Sequence, residues 1–131
     1  MIVVDTSVWI AHIRNTDSAP VRTLRSVTDP DQVLVGDIVL LEVLRGARDD
    51  LHARRIAVEL KKFATVPMLD VAIAVTAAQH YRSLRALGIT INKTADLIIA
   101  SYCLHHDHRL LHFDRDYEPF ERHLGLKVVP T

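Results

Sequence analysis

Short strand-like segments alternate with helical ones along the whole of this chain, and that order constrains the fold more than any other feature. The strand readings are Met1 to Val4, Gln32 to Val35, Thr65 to Met68, Arg109 to Phe113 and Leu126 to Val129, mostly apolar runs bounded by turn residues. Parallel strands need crossover connections, so strict alternation favours a sheet covered by helices on both faces. The expected architecture is an α/β fold, a three-layer α/β/α sandwich with a central mainly parallel sheet.

Caps and periodicity set the helices between those strands. Thr6 or Ser7 supplies an N-cap for a helix through Trp9, Ile10 and Ile13, and Ser18 caps a second helix that carries Pro20 in its first turn. Gly36-Asp37 opens the helix that holds Glu42. Leu51 to Phe63 places Ile56, Leu60 and Phe63 among charges at helical spacing, and Asp70 caps a long helix that ends near Gly88. A further helix begins at Thr94, and Asp114-Arg115-Asp116 opens the last one, through Phe120.

Composition narrows the class. With 131 residues, 49% of them hydrophobic, the chain suits one domain spanning 1–131. No apolar stretch approaches the roughly twenty residues of a membrane span, and MIVVDTS lacks the basic flank of a signal peptide, so a cytoplasmic protein is expected. Cys103 is the sole cysteine, which excludes an intrachain disulfide and a zinc site built on cysteine pairs; its run IIASYCL reads as core. Sixteen acidic and sixteen basic side chains balance to zero, which argues against a nonspecific nucleic-acid binder but not against a nuclease.

Acids sit at the ends of the apolar runs. Asp5 follows Ile2-Val3-Val4, Glu42 lies between Ile38-Val39-Leu40-Leu41 and Val43-Leu44, Asp96 precedes Leu97-Ile98-Ile99, and Asp114 follows Leu110-Leu111-His112-Phe113. A carboxylate beside a core-facing segment must be solvated, paired or bound to a cation. Taken singly, Asp5 reads as an N-cap, Asp96 as a first-turn acid, and Asp114 or Asp116 as turn residues; Glu42, inside an apolar helix, has no capping role. As a set they point to one site, because ligands of parallel α/β folds gather at the carboxyl ends of the strands.

Two unit charges about 5 Å apart repel by roughly 3 kcal/mol at an effective dielectric near 20. Four in one pocket therefore approach the roughly 5–15 kcal/mol net stability of a whole domain. Protonation or a divalent ion must relieve them. Oxygen ligands without cysteine or patterned histidine select Mg2+ or Mn2+ over zinc, and that chemistry suits phosphodiester hydrolysis by a metal-activated water. Thr6 and Ser7 are placed to steady Asp5 or a phosphate oxygen, and Arg45, three residues after Glu42, lies on the same helical face with a fork suited to phosphate.

These segments together resemble PIN-domain ribonucleases of the VapC toxin type, from MIVVDTSVWI through LLEVLRGA and TADLIIA to LLHFDRDYE. Each motif alone is weak, whereas the four in this order are specific and span nearly the whole chain. The family's acids fall on Asp5, Glu42, Asp96 and Asp114, which the resemblance implies are catalytic. It further implies a PIN-like fold and a Mg2+- or Mn2+-dependent endoribonuclease toxin that cuts structured RNA such as transfer or ribosomal RNA. A cognate antitoxin would inhibit it, typically by inserting a C-terminal peptide near the acids, often with an arginine that competes for them, and the toxin is expected to be a homodimer without direct DNA contact. In the family either or both acids of the last hairpin serve the metal, so the implied metal set is Asp5, Asp96, Asp114 and Asp116, with Asp116 outermost. The chain departs from the family at Tyr117, where phenylalanine is frequent; ring packing is expected to be kept.

Two other classes compete with that reading. A catalytically idle PIN scaffold would only bind a partner, and the presence of all four acids counts against it. An aspartyl-phosphate phosphotransferase or phosphatase would use Asp5 as nucleophile, but such enzymes usually carry a second acid where this chain has Ser7. His105, His106, His108 and His112 lack the spacing of a zinc protease and are expected at a solvated helix end. Trp9 reads as a core or dimer-interface ring.

Overall fold

A computed structural model describes residues 1–131. Strands β1 (Ile2–Val4), β2 (Val33–Gly36), β3 (Ala64–Val66) and β4 (Arg109–Leu111) form one sheet in the order β3-β2-β1-β4. Every pairing is parallel, with Val3 level with Leu34 on one side and Leu110 on the other. All three residues of β1 are buried, as a strand covered on both faces requires.

Helices α1 (Thr6–Ile13), α2 (Ala19–Ser26), α3 (Asp37–Arg45) and α4 (Asp50–Leu60) form one group, in which α1 packs against both α2 and α3, and α3 against α4. A second group comprises α5 (Val71–Ala86), α6 (Thr94–His106) and α7 (Glu118–Leu124), joined through α5. The crossovers from β1 to β2 to β3 step one way across the sheet, and the one from β3 to β4 returns past them. Right-handed crossovers then put the first group on one face and α5 and α6 on the other. The three-layer α/β/α architecture expected from the alternation is the one observed. The reversal falls between β1 and β4, the switch point beside which a parallel sheet opens a crevice at its carboxyl edge. The Asp5 amide donates to the Leu111 carbonyl at 2.9 Å, so these two strands stay joined to that edge.

Local departures from expectation have simple causes. The N-cap of α1 is Asp5, not Thr6 or Ser7: β1 stops at Val4, so the acid is the first residue free to accept the Ser7 amide. Ser18 and Asp70 cap their helices as expected, accepting from Val21 and Ile73. Strand β3 ends at Val66 rather than Met68 because Pro67 has no N–H for the ladder. Leu126 to Val129 forms only a parallel bridge from Val128 to Leu110, with Pro130 preventing extension. Asp114 caps a one-turn 3-10 helix, Arg115–Tyr117, before α7 starts. Gly36 ends β2 where Met68 crosses it, since an added Cβ would overlap the Met68 side chain. Trp9 is core, tilted against Phe63 with ring centres 5.3 Å apart.

Candidate functional site

The acids arrive at the carboxyl edge by separate routes. Asp5 leaves β1 as the cap of α1, Asp114 leaves β4, Asp96 occupies the first turn of α6, and Glu42 lies on α3 beyond β2. Asp5 is 3% exposed and fully engaged. Its Oδ2 accepts from the Ser7 amide at 3.1 Å and the Ser7 hydroxyl at 2.5 Å, and its Oδ1 accepts from the Tyr117 hydroxyl at 2.6 Å. The Ser7 Oγ also accepts from the Phe113 amide at 3.1 Å, so one hydroxyl ties the start of α1 to the segment after β4.

Asp96 is the exceptional member. It is 6% exposed; its Oδ1 lies 3.2 Å from the Tyr117 hydroxyl, and its Oδ2 is buried without any hydrogen-bond partner. An unpartnered buried carboxylate oxygen is costly, and nearly all such atoms in folded proteins are satisfied. Burial, reinforced by the negative charges of Asp5 and Asp114, pushes the Asp96 carboxyl up to about 6, against smaller opposing effects of Lys93 and the Tyr117 bond. A cation beside Asp96 would relieve both conditions.

Two further acids supply the neighbours such a cation needs. Asp96, Asp114 and Asp116 each offer one carboxylate oxygen, and the three lie within 4.8 Å of one another. They are hard donors of the kind Mg2+ and Mn2+ prefer, so this cluster is able to hold a divalent ion. The Lys93 ammonium straddles two of them, 3.3 Å from Asp114 Oδ2 and 3.4 Å from Asp116 Oδ2. The Asp114 bond and charge raise the Lys93 pKa further. Asp114 Oδ1 accepts the Asp116 amide at 2.9 Å, and the Asp114 side chain is the deeper of the two, 23% exposed against 52%.

Glu42 joins from the neighbouring helix through Thr6, whose hydroxyl donates to Oε1 at 2.7 Å. Arg45 Nη2 stands 3.9 Å from Oε2, with its side chain mostly in solvent. The Thr6 and Ser7 hydroxyls are thus committed to Glu42 and Asp5. Asp5 lies outside the close Asp96, Asp114 and Asp116 group and is coupled to it through Tyr117.

The residue that sequence reasoning missed is Tyr117 as a polar group. Its ring packs as expected, fully buried beside Phe120, yet its hydroxyl bonds both buried acids. The available signal was the hydroxyl itself at a position where the resembled family often carries phenylalanine. His105 and His106 are exposed at the end of α6, whereas His112 departs from that expectation. Its Nδ1 accepts the Asp114 amide at 3.2 Å and its ring stands 5.0 Å from Tyr117, so it buttresses the turn that carries the acids. A cleft of about 530 Å3 along α1, α2 and α4 includes none of these carboxylates; Asp96 and Asp116 border a hollow of about 110 Å3 with Lys93 and Arg115.

Comparison with known proteins gives a consistent picture. The family described as PIN domain matches residues 2–123. Ribonuclease VapC11 of Mycobacterium tuberculosis is 29% identical over 136 residues, covering 98% of each chain. Among solved structures, a chain of the Rickettsia felis VapBC2 complex bound to a promoter DNA fragment superposes with a TM-score of 0.79 at 17% identity, covering 98% of both chains. Mycobacterium tuberculosis VapC20, described as a sarcin-ricin loop cleaving toxin, gives 0.65 at 18% identity over 90% of this chain and 93% of its own.

Proposed function

The chain belongs to the PIN-domain family and is homologous to VapC-family toxins of toxin-antitoxin systems, and on that premise we propose that it is a Mg2+- or Mn2+-dependent endoribonuclease toxin. The observation that carries the proposal is the buried, unpartnered Oδ2 of Asp96 beside two further carboxylates. Asp96, Asp114 and Asp116 bind the ion, with Asp5 completing the set from the far side of Tyr117. When bound, the ion supplies an activated water and offsets charge on the phosphate under attack. Ser7 fixes the orientation of Asp5 through its amide and hydroxyl. Thr6 holds Glu42 by one oxygen and leaves the other as a proton acceptor, while the exposed Arg45 meets a substrate phosphate. An aspartyl-phosphate mechanism is disfavoured, because Ser7 stands two residues after Asp5, where such enzymes usually carry a second acid.

Structured RNA, transfer or ribosomal, is the proposed substrate class, and the description of VapC20 as a sarcin-ricin loop cleaving toxin supports cleavage within a structured loop. The VapBC complexes among its structural relatives support a cognate antitoxin as partner. The family resemblance adds that the antitoxin inhibits, that the toxin acts as a cytoplasmic homodimer, and that promoter contact is left to the antitoxin. The test is Asp5→Asn and Asp114→Asn in the full chain, followed by mapping of RNA 5′ ends after brief expression. Both variants are expected to fold and to lose cleavage. Full activity in either purified variant refutes the proposal.

A further inference from the structure

The Tyr117 hydroxyl is the one buried polar group that touches two acids from different elements, and nothing in the proposed chemistry yet uses it. We infer that Tyr117 is a positioning residue for the metal site: its phenol sets the spacing and orientation of Asp5 against Asp96. The inference rests on the nuclease reading and deepens it. Tyr117 closes the same one-turn helix that presents Asp114 and Asp116, so its ring is anchored to two acids by the chain and to two others by its hydroxyl. The ring has no exposed surface and packs between His112, with centres 5.0 Å apart, and Phe120, at 6.4 Å. It has no freedom to swing away.

A phenol has one proton to donate. The 2.6 Å contact to Asp5 Oδ1 is the stronger arm, and the 3.2 Å contact to Asp96 Oδ1 is the weaker arm of a bifurcated bond that shares that one proton. Two carboxylates that would otherwise repel are thereby clamped about a shared atom, while Asp96 Oδ2 stays unpartnered. Phenylalanine would fill the same space but leave both Oδ1 atoms facing a hydrocarbon edge, and Asp5 would be free to rotate about its Ser7 bonds. Groups that orient metal ligands in this way typically contribute about 10–100-fold to metal affinity or activity.

The experiment is Tyr117→Phe in the full chain, with Mn2+ binding measured by calorimetry without RNA and kcat and KM measured on a cleavable RNA. The expected result is a folded protein whose Mn2+ Kd rises about 10–100-fold and whose kcat falls with KM for RNA unchanged, since a buried phenol touches no substrate. Wild-type Mn2+ affinity and kcat in the folded variant overturn the inference, even if the melting temperature drops. Should Tyr117→Phe not fold, a ring-fluorinated tyrosine at 117 retains the packing and changes only donor strength; an altered Mn2+ Kd upholds the inference and an unaltered one overturns it. Asp96→Asn serves as the control: wild-type Mn2+ binding in it overturns the nuclease reading, whereas lost binding there with unaffected Tyr117→Phe overturns only the role of Tyr117.

Discussion

Asp96→Asn should make the metal-free protein more stable while destroying its metal site. The Asp96 carboxyl is raised from 3.8 to about 6, chiefly by burial and then by Asp5 and Asp114. Its folded-state value lies above its unfolded one, so the native state binds the extra proton, and stability falls as pH rises from near 4 through 6. Above that window the ionised side chain costs the metal-free fold about 3 kcal/mol, from 1.36 kcal/mol per pH unit. Asparagine has nearly the same shape, can still accept from the Tyr117 hydroxyl and carries no charge, so it removes the cost. For a chain of this size the gain corresponds to a melting temperature about 10 °C higher. The assay is thermal unfolding by circular dichroism in excess chelator at pH 7.5 and again at pH 4. The variant should melt higher at pH 7.5 and close to wild type at pH 4, where Asp96 is itself protonated. Melting at or below wild type at pH 7.5, or a gap of equal size at both pH values, refutes the assignment of an uncompensated charge to Asp96.

Two further outcomes follow from the same geometry. Lys93→Met removes the ammonium that a metal must displace from Asp114 and Asp116; exposed pairs contribute only about 0–1 kcal/mol, so calorimetry should show Mn2+ binding up to ~5-fold tighter, and weaker binding would contradict displacement. Cys103 is fully buried with its thiol pushed up to about 12, so it should react with a thiol reagent only at the rate of unfolding, with rapid labelling of the native protein as the contrary result.

The sequence exposed those parts of the fold that follow from local rules. Apolar runs such as Ile2-Val3-Val4 and the Ser18 and Asp70 caps are determined by neighbours a few residues away, and the alternation of elements then leaves few topologies. Strand limits needed finer chemistry: Pro67 and Pro130 cut short two ladders whose apolar character ran on. The gathering of acids was legible because strand ends and helix starts converge on one edge of a parallel sheet. What brings them into contact was not. The Thr6 to Glu42 bond joins residues 36 positions apart and the Tyr117 to Asp5 bond joins residues 112 apart. No periodicity encodes such partners. Nothing in the sequence marks the seat of Lys93 between Asp114 and Asp116, since it depends on how the turn after β4 folds back on α6.

Asp5 shows why the structural and functional readings of one acid need not compete. Its Oδ2 caps α1 through the Ser7 amide while its Oδ1 meets Tyr117, so a single carboxylate starts a helix and faces the metal site. Asparagine is as good an N-cap as aspartate through its one oxygen, and it loses the charge and the acceptor that faces the Tyr117 hydroxyl. In the test of function Asp5→Asn should therefore keep α1 intact and remove catalysis, whereas Asp5→Ala would lose the cap as well, worth about 1 kcal/mol. A fold that survives both substitutions, with cleavage lost in both, assigns the defect to the carboxylate charge and not to the helix it begins.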